Sequence, residues 1–204
     1  MFKVSKLIQA GGQELQDRAE FFWRNSDLIL VVADGAGGRS GGAEAAEFVV
    51  KNIKDRIYSL DLSQETLCHL LSTVDREMAK SGKFGETTCV IVSLSSSGII
   101  GASVGDSGAL IFSANGVQSL TENQIRKPFI GTGGAMPIGF KAFPLQGTLL
   151  VASDGLLKYT SQEKMAETIA ATNSESAAEK LMALVRYPSG ALPDDVSILL
   201  ARSS

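Results

Sequence analysis

The residues best suited to chemistry are aspartates that each end an apolar segment of the chain. Aspartate is a poor strand residue, and a single Asp-Gly after a strand usually indicates a turn. Here the arrangement recurs, in LILVVADG and again in LLVASDG, which favours a shared role over unrelated turns. The segments and the residues that follow them are Leu28–Ala33 with Asp34-Gly35, Ile99–Gly105 with Asp106, and Thr148–Ser153 with Asp154-Gly155.

A fourth acidic position, Asp194, stands just before the last apolar segment instead of after one. If that segment is a strand antiparallel to its neighbours, its start lies at the sheet edge where their ends lie. Asp34, Asp154 and Asp194 would then converge, with Asp106 close by. Carboxylates held this close raise one another's pKa, and a divalent cation would relieve the repulsion. Ligation by oxygen alone favours Mg²⁺ or Mn²⁺ over zinc.

The composition argues against several other classes of site and protein. The chain has 204 residues with two Cys and one His, so a zinc site built from His69, Cys68 and Cys89 would be one ligand short. A net charge of −3 argues against a nucleic-acid or membrane-surface binder. No segment approaches the roughly 20 apolar residues of a membrane helix, and the N-terminus has no signal-peptide pattern. We therefore expect a cytoplasmic protein.

The apolar spacing predicts an α+β fold in one domain over residues 1–204. Strands that are apolar on both faces, such as CVIVSL, indicate two packed sheets with helices outside them. Predicted helices cover 42–58, a segment that starts after the N-cap Ser63, a segment from the capping box at 160–163 to about 171, and about 175–186. Predicted strands cover about 2–8, 27–33, 87–94, 99–104, 109–113, 117–120, 147–153 and 195–201, and we expect 121–143 to be irregular.

Five segments, in order, resemble the motifs of the metal-dependent protein phosphatases of type 2C, the PPM superfamily. They are VVADGAGGRSGGAEAA, GETTCVIVSL, ASVGDSGALIF, LLVASDGL and PDDVSILL, and they cover most of the chain from Leu28 to Leu200. The resemblance implies an αββα four-layer sandwich of two mainly antiparallel sheets flanked by helix pairs. It also implies hydrolysis of phosphoserine and phosphothreonine by a water activated at a centre of two Mn²⁺ or Mg²⁺ ions, with a third, weaker ion in some members.

The resemblance assigns a role to each matching residue. Asp34 matches the carboxylate that bridges the two ions, and Asp17 resembles an acidic residue that holds a water beside them. Asp34, Asp154 and Asp17 are therefore the expected catalytic residues. The expected metal ligands are Asp34, Gly35, Asp154, Asp194 and, for a third ion, Asp106.

Three positions depart from the family pattern. Gly108 stands where an arginine often follows the VGDS motif. Gly12 stands where relatives usually carry the arginine that binds the substrate phosphate, and Arg39 stands where many carry a histidine that could protonate the leaving group. Loss of such a general acid removes about 10²–10⁴-fold in rate for poor leaving groups. Because Arg39 and Arg18 are the basic residues nearest the predicted site in sequence, we expect one or both to bind the substrate phosphate.

One glycine-rich segment, Gly131-Thr132-Gly133-Gly134, resembles a phosphate-binding loop. Met136 breaks the spacing of the dinucleotide fingerprint, and no Gly-Lys-Ser/Thr follows. The segment is therefore interpreted as a flexible loop.

The sequence favours a monomeric, metal-dependent serine/threonine phosphatase in signalling, acting on a phosphorylated protein such as a kinase or a kinase target. Neither nucleic acid nor membrane is an expected partner. Two alternatives remain open. One is a phosphatase for a small phosphomonoester, and the other is a catalytically weak relative that binds a phosphoprotein and regulates it. The retained aspartates favour an enzyme, whereas the missing arginine and histidine favour the regulator.

Overall fold

The structure, a computed structural model, describes residues 2–36, 41–172 and 176–203. In these ranges the strands and helices alternate in groups, as the sequence predicts. The strands are β1 (Phe2–Gln9), β2 (Arg18–Arg24), β3 (Asp27–Ala33), β4 (Cys89–Leu94), β5 (Ile99–Val104), β6 (Gly108–Ser113), β7 (Gly116–Ser119), β8 (Ile138–Ala142), β9 (Thr148–Ala152) and β10 (Val196–Ser203). The helices are α1 (Gly42–Arg56), α2 (Gln64–Ser81), α3 (Asp154–Leu157), α4 (Gln162–Ala170) and α5 (Ala177–Leu184), and a 3-10 turn covers Ile57–Ser59.

The strands form two five-stranded sheets in which every named pairing is antiparallel. The first sheet has the order β1-β10-β9-β6-β7, and the second has the order β2-β3-β4-β5-β8. The turn that joins β6 to β7 lies at the predicted Asn-Gly position, where Ser113 pairs with Gly116.

Three apolar cores separate four layers. Alternate residues of β3 and β4, such as Leu30 and Val92, face the other sheet, and their neighbours, such as Val31 and Ile91, face α1 and α2. The outer face of the first sheet packs against α3, α4 and α5. The predicted αββα sandwich is therefore confirmed, and both faces of its central strands are buried.

The long helices follow their predicted amphipathic patterns. Ser63 caps α2, because its side chain accepts a hydrogen bond from the Thr66 backbone N–H and the Thr66 hydroxyl accepts one from the Ser63 N–H. The cap of α4 is Ser161, within the predicted capping box. No helix in the described ranges is both long and apolar enough to cross a membrane.

Three elements were not predicted. Strand β2 carries consecutive aromatic residues, so it lacks the alternation typical of a half-buried strand. Strand β8 lies inside the stretch 121–143 that we expected to be irregular, and there it pairs with β5. Helix α3 is a single short turn that begins at Asp154. The predicted start of the last helix at residue 175 lies outside the described residues.

Candidate functional site

Strand direction brings the four predicted aspartates to one edge of the sandwich. Strands β3 and β5 are both antiparallel to β4, so they run the same way, and Asp34 and Asp106 follow their ends. In the other sheet β10 runs antiparallel to β9, so Asp194, before β10, lies at the same edge as Asp154, after β9. The expected antiparallel orientation of the last strand is thus confirmed.

A cavity of about 550 Å³ opens at this edge. Its wall is acidic, and no Lys, Arg or His is among the lining residues in the part of the chain that the structure describes. An anionic substrate could enter such a pocket only if cations first offset its charge. The lining residues are Gly12, Gln13, Glu14, Gln16, Asp34, Gly35, Ala36, Thr88, Asp106, Phe129, Asp154, Asp194 and Asp195.

The backbone at Asp34 and Gly35 is fixed by hydrogen bonds to the start of the neighbouring strand. The Asp34 amide donates to Thr88 Oγ1 over 3.1 Å, and its carbonyl accepts from the Thr88 amide and the Thr87 hydroxyl, each over 2.8 Å. A Cβ at position 35 would overlap the carbonyl of Gly42. Glycine is therefore required here, and its backbone lies directly against helix α1.

A second glycine, Gly155, allows the end of β9 to lie close to the start of β10. Asp154 is the first residue of α3, with Ser153 at the N-cap position. A Cβ at position 155 would overlap the carbonyl oxygen of Asp195. Only Gly155 therefore lets the backbone that carries Asp154 approach the backbone that carries the 194–195 pair.

Asp195, which has no predicted role, holds the loop before β2 in place. Its carboxylate accepts hydrogen bonds from the backbone amides of Gly11, over 2.8 Å, and Gln16, over 2.6 Å. This loop supplies Gly12 and Gln16 to the pocket wall. The signal in the sequence was the second aspartate of the Pro-Asp-Asp segment, but its amide partners are about 180 residues away.

The carboxylates strongly perturb one another. Burial, followed by the charges of Asp17, Asp154, Asp106 and Asp194, raises the pKa of Asp34 from 3.8 to about 10. The pocket therefore disfavours the ionised form of Asp34 unless a positive charge is nearby.

Asp154 is shifted in the same direction. Burial and the charges of Asp106 and Asp194 raise its pKa, while the cations Lys158 and Arg126 oppose that increase. Two positive side chains therefore lie close enough to act on the outer wall of the pocket.

Asp17 lies beneath the pocket and is fully buried. Burial is the main cause that raises its pKa to about 6, and the charge of Asp195 adds to it. The hydroxyls of Ser153 and Ser197 lower the pKa in part, yet neither completes a well-aligned hydrogen bond, and both carboxylate oxygens are without a partner among the described residues. Such unpaired buried oxygens are costly and call for a partner.

The donor set fits a hard divalent cation. Asp34, Asp154, Asp194 and the carbonyl of Gly35 offer only oxygen, which is the ligand type that Mg²⁺ and Mn²⁺ prefer. The mutual repulsion around Asp34 and the unpaired oxygens of Asp17 are features that such a charge would offset. As placed in the described ranges, no three His, Cys, Asp or Glu side chains lie close enough together to hold a metal ion. The carboxylates line the wall of an open pocket.

The structure brings one unpredicted arginine to this site and places a predicted one elsewhere. Arg126 Nε donates to Asp106 Oδ2 over 2.8 Å. Arg18 does not line the pocket, because its guanidinium bonds to Glu47 and to backbone carbonyls, including that of Asp17. Arg39 lies outside the described residues, so its proposed contact with phosphate stays a prediction.

The glycine-rich segment that resembled a phosphate loop binds an internal carboxylate instead. Asp75 of α2 is buried, and its two oxygens accept hydrogen bonds from the amides of Gly131, Gly133 and Ala135 over 2.8–2.9 Å. These amides are thus already engaged by an anion. The loop is anchored to α2, which corrects the expectation that it is flexible.

Comparison with known proteins gives a consistent result. A sequence profile of the family described as protein phosphatase 2C matches residues 8–132, more than half of the chain. No curated protein sequence matches the chain.

Solved structures of bacterial enzymes share the whole fold. Serine/threonine phosphatase Stp1 from Staphylococcus aureus has a TM-score of 0.87 at 21% identity, over 100% of this chain and 96% of that one. The S. agalactiae serine/threonine phosphatase has a TM-score of 0.86 at 22% identity, over 100% of both chains. The catalytic domain of the serine threonine protein phosphatase PstP, solved with two manganese ions, has a TM-score of 0.82 at 17% identity, over 98% of this chain and 97% of that one.

Proposed function

Because the chain belongs to the protein phosphatase 2C family, which consists of phosphoric monoester hydrolases, we propose that it is a metal-dependent protein serine/threonine phosphatase. The observation that carries the proposal is the convergence of Asp34, Asp106, Asp154 and Asp194 on one acidic pocket. The strands that position them belong to two different sheets, so the convergence does not follow from local sequence.

In this proposal Asp34, Gly35, Asp154 and Asp194 hold two Mn²⁺ or Mg²⁺ ions. When bound, such ions lower the pKa of a water and neutralise the phosphoryl oxygens. The residues of the chain then position the reacting groups, which supplies most of the catalysis in phosphoryl transfer. The hydrogen-bonded backbone at Asp34 and the tight contact at Gly155 hold the ligands from the two sheets at fixed positions relative to one another.

Asp17 is proposed to act indirectly. It is fully buried, so it reaches the substrate only through groups that lie between it and the pocket. With a pKa of about 6, it carries negative charge for most of the time at neutral pH. In that state its charge acts on the pocket through Asp34, whose pKa it raises.

The proposed substrate is a phosphoserine or phosphothreonine on a protein, such as a kinase or a kinase target. The pocket is open and lies at the edge of the sandwich, so a phosphorylated side chain can enter from a peptide on the surface. We further propose that the protein acts as a monomer in cytoplasmic signalling.

A second function is favoured by one observation. No basic side chain lines the pocket among the described residues, and Gly12 stands where the family resemblance implies an arginine. A chain with such a pocket could bind a phosphoprotein and turn it over slowly, as a regulator.

Hydrolysis assays distinguish the two functions. We expect Mn²⁺-dependent hydrolysis of an aryl phosphate and a phosphothreonine peptide, abolished by EDTA and by Asp34→Asn. The matched control is Asp61→Asn, which makes the same chemical change at an exposed position and is expected to leave the rate unchanged. Tight Mn²⁺ binding without turnover would indicate the regulator. Turnover that persists in EDTA would contradict the proposed metal dependence of the enzyme.

A further inference from the structure

The ion pair between Arg126 and Asp106 occupies a carboxylate of the acidic pocket. The two groups are 2.8 Å apart, and the Asp106 side chain is only 21% exposed, whereas that of Arg126 is 70% exposed. Asp106 therefore faces the pocket with its charge already partnered from the outer side. A guanidinium is always protonated at physiological pH, so this partner is permanent in charge.

The segment that carries Arg126 is held in place by backbone hydrogen bonds on both sides. The Gly105 amide donates to the carbonyl of Ile125 over 3.2 Å. Further along, the backbones of Ile130 and Thr87 exchange two hydrogen bonds, over 2.9 and 3.0 Å. The ion pair thus joins two backbone segments that are already adjacent, and it does not depend on a freely moving loop.

The charge of Arg126 also reaches a second carboxylate. A groove next to the acidic pocket is lined by Asp106, Asp154, Arg126 and Lys158, so the two cavities share both aspartates. A divalent cation that approached Asp106 would have to displace the guanidinium or remain a few ångströms from it. At that separation the repulsion between like charges is substantial even with solvent screening.

We propose that Arg126 is a built-in counter-ion that occupies Asp106 and thereby limits the number of divalent cations that the pocket binds. Asp34 and Asp194 do not line the groove that holds Arg126, so ions at these two residues are expected to keep their sites. The inference rests on the proposed function only in requiring that the pocket binds divalent cations.

The test is the number of Mn²⁺ ions bound per chain, measured by titration calorimetry and by the EPR signal of free Mn²⁺. We expect Arg126→Ala to bind one ion more than the wild type, or to bind the weakest ion about tenfold more tightly, since a neighbouring charge shifts such equilibria by about one to three log units. The double variant Asp106→Asn/Arg126→Ala should lose that gain. Lys158→Ala removes a charge beside Asp154 and not from Asp106, so it should keep the wild-type count.

An unchanged count and affinity in Arg126→Ala, with ions bound by the wild type, would overturn this proposal alone. If no variant binds Mn²⁺, the proposal fails together with the metal dependence of the proposed function. Arg126→Gln gives a second neutral variant that keeps the length of the side chain, and a gain seen in only one of the two variants would also count against the counter-ion role.

Discussion

Replacement of Gly12 by arginine tests where the substrate phosphate lies. Gly12 lines the pocket with Asp34 and Asp154. The resemblance to the type 2C phosphatases assigns this position to an arginine that binds the substrate phosphate. A Cβ at this position meets no atom within 4 Å. Its backbone is also not left-handed, so a side chain adds no strain. The substitution should therefore be tolerated by the fold.

The expected gain follows from opposing contributions. A hydrogen bond to a charged group contributes about 1.5–3 kcal/mol, and a guanidinium can make two such bonds to a phosphate. At the low end this is about 3 kcal/mol, and ordering an arginine side chain costs up to about 2 kcal/mol. The net is about 1 kcal/mol at an exposed site, which lowers KM by about fivefold.

The assay is steady-state hydrolysis of a phosphothreonine peptide in excess Mn²⁺. Because the new contact exists in both the bound substrate and the transition state, KM should fall while kcat stays nearly constant. Gly12→Gln is the matched control, since it adds a long polar side chain without charge and should leave KM close to the wild-type value.

Equal KM values for the arginine and glutamine variants, with both proteins folded, would refute this reasoning. That result would mean that the phosphate does not lie within reach of position 12, although Gly12 lines the pocket. An increase in KM for the arginine variant alone would contradict it further, because it would show that the guanidinium is held by the pocket carboxylates instead of the substrate.

Two other predictions concern stability. In EDTA, Asp34→Asn should raise the free energy of unfolding by up to about 4 kcal/mol at pH 7. The reason is that the pKa of Asp34 in the folded protein, about 10, lies above its ordinary value of 3.8. The buried carboxyl therefore does not destabilise the wild type below pH 3.8, and its cost increases as the pH rises toward 10. Urea unfolding at pH 5 and pH 8 checks this, and a gain that does not grow with pH would contradict it. Asp75→Ala should cost about 3 kcal/mol and speed hydrogen exchange at the amides of the 131–135 loop, because three amides lose a charged acceptor. Asp55→Ala, at an exposed position of α1, controls for helix propensity, and an equal loss in both variants would rule out the anchoring role.

The placement of the aspartates could be predicted because it depends on strand direction. An antiparallel last strand requires Asp194 to lie at the edge where Asp154 follows its own strand, and the structure agrees. The buried central strands could be predicted equally well, because their apolar residues leave neither face polar. Edge strands β2 and β8 were missed because one is half-exposed and the other is short and lies in a segment rich in glycine and proline.

The contacts between distant segments could not be predicted in the same way. Arg126 lies 20 residues from Asp106, and the loop amides lie 56 to 60 residues from Asp75. Neither pairing leaves a periodic signal, because a single ionic contact needs only one residue on each side. Sequence proximity therefore predicts a site role for Arg18, whose guanidinium bonds to Glu47 instead. It does not predict one for Arg126, which contacts Asp106.

The charges of the pocket imply an order of binding. Six carboxylates line the wall, from Glu14, Asp34, Asp106, Asp154, Asp194 and Asp195, and no described lining residue is basic. A phosphate dianion approaching this wall alone would meet strong repulsion, which the ion pair of Arg126 offsets by only one charge. Two divalent cations would supply four more positive charges. Under the proposed function, substrate binding should therefore depend steeply on cation loading, because no described residue of the wall could bind the phosphate by charge in place of the ions.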